Sequence, residues 1–391
     1  GDYLVKNSFK TRIINLGEKT LESPNFKVED YIENLEAKII GIDLHWVVHS
    51  YGAIKIAEIC KSLHPDSFIV LGGLTASYFS QEIISSFPFI DGVITGEAEE
   101  AMTILTERIC SNNGLEDVPN LTYRGSNGEI TNNSRIKPLE SIDKYDFTNL
   151  KLIEPLDSLI TMDYGFKKVK LWNIPICRGC TLNCATCGGS KYAYQNIFKR
   201  DKSAFRSPKR MVEDFQRLDE QRINSIFLFQ DCRIGGKSYY KELLKCLHRE
   251  RWSHIEHVTM EFFSPVDDEF IRYLASHRPA DKITATISPE SGSENVRNIH
   301  GREYTNKDIF ETLDKCADNS VPIGFYFMIS LGYESQSSLQ EMWSLWEKIL
   351  SHKRKKGFFT TANFGPMILL DPGSIAYENP KEYGYNMLFH T

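Results

Sequence analysis

The residues with the clearest chemical capacity lie in one short stretch, Ile176-Cys177-Arg178-Gly179-Cys180-Thr181-Leu182-Asn183-Cys184-Ala185-Thr186-Cys187. Cys180, Cys184 and Cys187, spaced C-x3-C-x2-C, put three thiolates in a single loop. Such a set holds three irons of a [4Fe–4S] cube and leaves the fourth iron open to a substrate or cofactor. Counting Cys177 as well gives two C-x2-C pairs, the ligand set of a tetrahedral zinc or of a redox cluster. Zinc ribbons separate such pairs by roughly a dozen residues or more. Only three residues stand between the pairs here, which cramps that geometry. On the three-thiolate reading Cys177 is a strand residue and no ligand. The other five of the nine cysteines read as small core or surface residues. An odd count with four clustered marks a metal rather than disulfide bridging, and hence a reducing, cytoplasmic setting.

The elements that must position this loop are legible as alternating strands and helices. In the front third, 11–16, 37–42, 67–71 and 92–95 read as strands, and 26–35, 51–63, 81–87 and 97–109 carry helical spacing. The run 67–71 ends in Gly72-Gly73, where backbone can approach a bulky ligand. Strands separated by such helices predict a parallel, doubly wound sheet with ligand loops at the strand ends. Between about 110 and 159 the period is lost. Turn chemistry dominates there, with a hairpin around Ser126-Asn127-Gly128, and 119–165 reads as a linker. Beyond it, 169–175, 225–230, 257–263, 282–287, 323–329 and 360–364 are strands with helices between most of them. Ser207 and Pro208 supply the cap and first position of one helix. Six βα units predict a partial, curved barrel over 166–391, with a second open sheet as the alternative that pattern alone leaves.

Composition sets outer bounds. The chain has 391 residues, 41% apolar and 25% charged, which excludes wholesale disorder and fits two or three domains. With 46 basic and 52 acidic residues the net charge is −6, so charge gives no reason to bind nucleic acid. The longest apolar runs fall well short of the ~20 residues that a membrane-spanning helix needs.

With these residues in view, the chain resembles the cobalamin (B12)-binding branch of the radical SAM (S-adenosylmethionine) superfamily. Its signature is the same Cys-x3-Cys-x2-Cys in the loop after the first strand of a partial (β/α)6 TIM-type barrel. Arg178-Gly179-Cys180 resembles that branch in particular. So do Ile40-Gly41-Ile42, Ile69-Val70-Leu71-Gly72-Gly73 and Asp91-Gly92-Val93-Ile94-Thr95-Gly96-Glu97-Ala98-Glu99, which follow the order of its Rossmann-like cobalamin-binding domain. Further along, Arg206-Ser207-Pro208, Asp231, Glu290-Ser291-Gly292, Gly332-Tyr333-Glu334 and Asp371-Pro372-Gly373-Ser374 stand at successive strand ends, where barrel chemistry is built. One departure is Thr186, where the family usually has an aromatic residue before the third cysteine.

The resemblance implies an α/β chain of two parts, a cobalamin domain over 1–118 and the barrel, with Cys180, Cys184 and Cys187 holding the cluster. It implies that S-adenosylmethionine is met by Gly188, Gly189, Asp231, Glu290, Ser291, Arg302 and Gly332, and cobalamin by His49, Gly72, Gly73, Thr75, Gly96 and Glu97. Glu290 and Ser291 suit the amino or ribose groups, Glu290 the more because an acid inside the β-like stretch Ile287 to Gly292 needs a partner, and Arg302 suits the carboxylate. The bland readings are a solvated helix-entry charge for Arg302, a turn cap for Asp231 and a structural salt bridge for Arg206. His49-Ser50-Tyr51-Gly52 has the form of the cobalt-coordinating His-x-x-Gly but follows the third strand rather than the first, so His49 reads as a loop residue lining the corrin. The first loop is expected upstream of Gly1, which leaves the lower ligand of cobalt open, and a C-terminal extension is expected beyond Thr391.

The implied activity is reductive cleavage of S-adenosylmethionine to a 5′-deoxyadenosyl radical. Methylation of an unactivated carbon or a phosphinate centre is expected to follow. The alternatives are a non-methylating rearrangement or cyclisation, and a non-catalytic iron–sulfur or zinc module. Expected partners are a small-molecule or peptide substrate and an external one-electron reductant of flavodoxin or ferredoxin type, with no nucleic acid.

Overall fold

Three short apolar strands in the front third, β1 (Ile39–Asp43), β2 (Phe68–Gly72) and β3 (Gly92–Ile94), pair in parallel in that order. The computed structural model describes residues 1–125, 127–135, 137–163, 168–356 and 360–388. Successive strand residues point to opposite faces. Ile69, Leu71 and Val93 therefore enter one apolar cluster, and Val70 and Ile94 another. Helix Ser50–Leu63 joins the first through Ala53, Ala57 and Cys60, and helix Glu99–Cys110 joins the second through Ala101 and Leu105. Burial on both faces of β2 and β3 explains why these two read as unbroken apolar runs.

The stretch expected as a linker carries structure. Its strands β4 (Leu121–Arg124) and β5 (Ile130–Asn132) extend the front sheet antiparallel beyond β3, with Leu121 and Tyr123 buried. Gly128, at φ +82°, sits in the connecting turn, while Ser126 lies outside the described residues. Ile153–Glu154 pairs with Ile13–Ile14, and β6 (Thr161–Asp163) joins the second sheet. Strands this short, set among Asn, Gly and Ser, leave no period to detect. The strand expected over 11–16 shrinks to Ile13–Ile14 because the Asn15 side chain accepts from Glu18 N and starts helix Leu16–Glu22.

The second sheet adds β7 (Lys168–Pro175), β8 (Ser225–Phe229), β9 (His257–Phe262), β10 (Lys282–Glu290), β11 (Ile323–Ile329) and β12 (Thr360–Met367). Its order is β12-β11-β10-β9-β8-β7-β6, with six parallel strands and the antiparallel β6 at one edge. The sheet stays open, so it is a part-barrel. Its convex side buries Leu228, Val258, Met260, Phe262 and Phe325 against Phe215, Leu243, Leu244 and Ile309 of the connecting helices. Side chains of the alternate rows, among them Thr259, Glu261, Thr284 and Thr286, fall on the other face and are half-buried. As expected, Ser207 caps helix Pro208–Glu220 with Pro208 in the first turn.

Arg206 resolves to its structural reading. Both it and Asp214 are fully buried; two guanidinium nitrogens meet the carboxylate, Nη2 at 2.7 Å, and Nη1 donates to Ile142 O at 2.7 Å. Removing one partner of such a pair strands a charge in the core. Asp214→Ala is expected to lower stability by about 3–5 kcal/mol, read by chemical denaturation.

Candidate cluster loop and the facing domain

The cysteine loop leaves β7 through a short antiparallel pairing of Cys177–Arg178 with Ala204–Phe205. Gly179 follows at φ +105°, and a Cβ there would lie 3.1 Å from Arg200 Cδ, so the turn needs glycine. The loop forms neither helix nor sheet and borrows partners from the segments that follow β10 and β12. Ala185 N donates to His300 O at 3.2 Å, Ala376 N to Ala185 O at 2.8 Å, and Gly188 N to Asp371 Oδ2 at 2.9 Å. Ser190 then caps helix Lys191–Ile197.

Two of the three sulfurs already receive amide hydrogens: Leu182 N donates to Cys180 Sγ at 3.4 Å and Gly189 N to Cys187 Sγ at 3.3 Å. Such donors stabilise a thiolate and tune a cluster. Burial pushes the Cys180 thiol up, Cys184 to about 11 and Cys187 to about 12, so without a cation the three stay protonated. The donor set therefore fits a group that brings positive charge and takes one sulfur per iron. Among the described residues no three His, Cys, Asp or Glu side chains converge on a point for a single ion.

Cys177 is occupied otherwise. It is 1% exposed, its N donates to Gln230 Oε1 at 2.9 Å, its thiol points to Gly179 O at 3.6 Å, and burial raises that thiol far above the usual range.

Glu290 ends β10 beyond a register shift, at φ +68° and 7% exposed. Its Oε1 accepts from Arg302 Nε at 3.0 Å and Nη2 at 2.9 Å, whereas Oε2 is buried without a partner among the described residues. Arg302 also donates to Phe263 O at 3.0 Å, so it is held in the site and is no solvated helix-entry charge. The Ser291 hydroxyl accepts from Ser293 N. Asp231 is fully engaged, by Arg233 and by Phe263 N at 2.8 Å, and caps 232–235, which favours the turn-cap reading. Gly332 packs directly on the Tyr383 backbone, and its carbonyl meets His300 Nε2 at 3.1 Å. Its glycine is thus explained by close packing.

The front strand ends face this loop. Gly73, at φ +112°, would place a Cβ 2.6 Å from Leu44 O, whereas Gly72 is under no such constraint. Thr75 donates from N and Oγ1 to His45 O at 3.2 and 2.9 Å, closing the loop after β1. Gly96, at φ +81°, packs against Phe198 of the barrel, and a Cβ on Gly373 would meet Ile197 and Tyr78. Tyr78 also stands edge-on to Tyr377 at 5.6 Å. His49 is exposed at the start of helix Ser50–Leu63. Glu97 turns to Arg178 and Arg200.

Sequence reasoning missed three groups. His45 is the half-buried imidazole of the β1 loop, edge-on to Trp46 at 4.5 Å, with its pKa lowered by burial. Glu261 accepts from Gln230 N at 2.8 Å, and burial pushes its carboxyl up. The argument that an acid inside a β-like run needs a partner, used for Glu290, applies to it equally. His300 is wholly buried beside the cysteine loop, and no periodicity marks it. Asp371, expected at the end of the sixth barrel strand, clamps Gly188.

Comparison with known proteins agrees with this geometry. Residues 174–345 match the family model of the radical SAM superfamily, and residues 2–106 that of the B12 binding domain. The anaerobic magnesium-protoporphyrin IX monomethyl ester cyclase of Rubrivivax gelatinosus is 23% identical over 355 residues, 86% of this chain and 58% of that protein. The hopanoid C-3 methylase of Methylococcus capsulatus is 22% identical over 228 residues, 56% of this chain and 40% of that protein. The chain thus spans well under two thirds of either relative. The radical S-adenosylmethionine methyltransferase TsrM from Kitasatospora setae, solved with tryptophan and an S-adenosylmethionine analogue, superposes with a TM-score of 0.68 at 14% identity, over 90% of this chain and 67% of that one. The cobalamin-dependent S-adenosylmethionine radical enzyme OxsB gives 0.66 at 13% identity, over 90% and 53%. At such identities these two likenesses speak to the fold. By the two matched domains, in this order, the chain belongs to the cobalamin-binding branch of the radical SAM superfamily.

Proposed function

We propose that this chain is a cobalamin-dependent enzyme that reductively cleaves S-adenosylmethionine and methylates an unactivated carbon or a phosphinate centre. The observation that carries the reading is the juxtaposition of a three-thiol loop, at the carboxyl ends of one sheet, with the glycine-rich carboxyl ends of another. When bound, the [4Fe–4S] cluster supplies the electron that cleaves S-adenosylmethionine, and cobalamin supplies the carrier for its methyl group. Cys180, Cys184 and Cys187 hold the cluster, and the amides of Leu182 and Gly189 steady two of the sulfurs. Gly188 and Gly189 let the cosubstrate approach the backbone. The free Oε2 of Glu290 accepts from its amino or ribose group, while Arg302 orients Glu290 and adds positive potential for the carboxylate. Ser291 offers its hydroxyl alongside. The loops carrying His49, Gly72, Gly73, Thr75 and Gly96 seat the cobalamin.

A cyclisation is the second reading, favoured by the 86% of this chain that aligns with the magnesium-protoporphyrin ester cyclase. Either chemistry takes a small-molecule or peptide substrate and an external one-electron donor of flavodoxin or ferredoxin type, in the reducing cytoplasm. No helix of the described residues is long and apolar enough to cross a membrane.

Two experiments test these assignments. Alanine at Cys180, Cys184 or Cys187 is expected to abolish iron and sulfide incorporation on anaerobic reconstitution, while Cys177→Ala keeps it; metal lost from Cys177→Ala would move the ligand set. Given hydroxocobalamin, S-adenosylmethionine and a strong reductant, the intact protein is expected to release both 5′-deoxyadenosine and S-adenosylhomocysteine. Release of 5′-deoxyadenosine alone would favour cyclisation.

A further inference from the structure

Glu97 belongs by its backbone to the front domain. Asn120 Nδ2 donates to the Glu97 carbonyl at 3.0 Å, and the neighbouring Gly96 N donates to Ser77 Oγ at 2.9 Å. Its carboxylate belongs to the barrel. Arg200 donates from Nε to Oε1 at 2.8 Å and from Nη2 to the same oxygen, and Arg178 Nη1 lies 3.2 Å from Oε2. Glu99 engages the same Arg178, accepting from Nη1 at 3.1 Å and from Nη2. Arg200 spends its remaining nitrogen on Leu139 O and Lys202 O. Two carboxylates thus balance two guanidiniums, with Glu97 and Arg200 only 9% and 3% exposed at their side chains.

Burying such a set contributes little net stability, since desolvation offsets the attraction, yet it admits one geometry and penalises any other. That geometry is transmitted to the thiols. Arg178 stands two residues before Cys180, and Arg200 packs under Gly179, whose positive φ permits the approach. The Arg178 guanidinium also lies over the Tyr145 ring, 5.4 Å from its centroid.

We infer that the Glu97–Arg178–Arg200–Glu99 network is the coupling that fixes the front domain's strand ends against the cysteine loop, with Glu97 a positioning residue and not a cobalamin contact. Both oxygens of Glu97 face arginines, Oε1 Arg200 and Oε2 Arg178, which turns the carboxylate toward the barrel. The inference rests on the proposed reading of the two cofactor seats. With the network broken, the loops lose their fixed separation. Chemistry that needs only the cluster persists, and chemistry that needs both seats falls.

The test is hydrogen exchange on the full chain, reconstituted with iron, sulfide and hydroxocobalamin, for Glu97→Gln, Arg200→Met, their double variant and the milder Glu99→Gln. In Glu97→Gln, exchange at 96–100 and at 177–182 is expected to rise about tenfold together, with iron and cobalamin content unchanged. The double variant is expected to exchange no faster than the faster single. Under reductant, 5′-deoxyadenosine release is expected to persist while S-adenosylhomocysteine falls about tenfold. Cobalamin lost with exchange unchanged would make Glu97 a cofactor contact and overturn the inference; so would unchanged exchange with both cofactors retained. Should the parent chain take up no cobalamin, the front-domain reading fails, and exchange still decides whether the network couples the two loops.

Discussion

A loop that holds one buried and two half-buried thiols while forming neither helix nor sheet must find outside partners for its backbone, because a buried orphan amide or carbonyl is costly. The cysteine loop finds them in the segments that follow two distant strands. His300, past β10, takes the Ala185 amide; Asp371 and Ala376, past β12, engage Thr186, Gly188 and Ala185. The loop is therefore shaped only when most of the part-barrel has formed. Asp371, whose carboxylate accepts from the Gly188 amide, serves this scaffolding directly.

The same dependence runs across the seam. In parallel α/β sheets the carboxyl strand ends gather the loops that bind ligands, and here two such sets meet. Aromatic contact between Tyr78 and Tyr377, the close packing of Gly96 on Phe198 and the paired charges on Arg178 and Arg200 leave little freedom between them. Position, more than any single acid or base, is what the protein contributes to a reaction whose chemistry belongs to its cofactors.

Much of this was legible in the sequence. The unbroken apolar runs of β2 and β3, and the alternation of strand-like with helix-like stretches elsewhere, made β1 to β3 and β7 to β12 readable, and the C-x3-C-x2-C spacing needed no structure at all. The hairpin β4–β5 hid among turn residues, too short for a period. Long-range pairing was the harder failure. Nothing local says that Glu97 will meet Arg200 over a hundred residues on, so it read as a cofactor contact. In the same way His49 drew attention by its motif-like spacing, while His45, half-buried beside Trp46, went unremarked. Glu290 was found by a physical argument, that an acid within a strand needs a partner, and it has both Arg302 and one orphan oxygen.

One open iron–sulfur cluster and one cobalamin are expected to share the space between these two sets of strand ends. Anomalous scattering at the iron and cobalt edges from anaerobically grown crystals of the reconstituted protein tests it most directly. Iron is expected at Cys180, Cys184 and Cys187 with Cys177 unligated, and cobalt between that loop and the loops of Gly73 and Gly96. Iron bound through Cys177, or cobalt away from the seam, would contradict it.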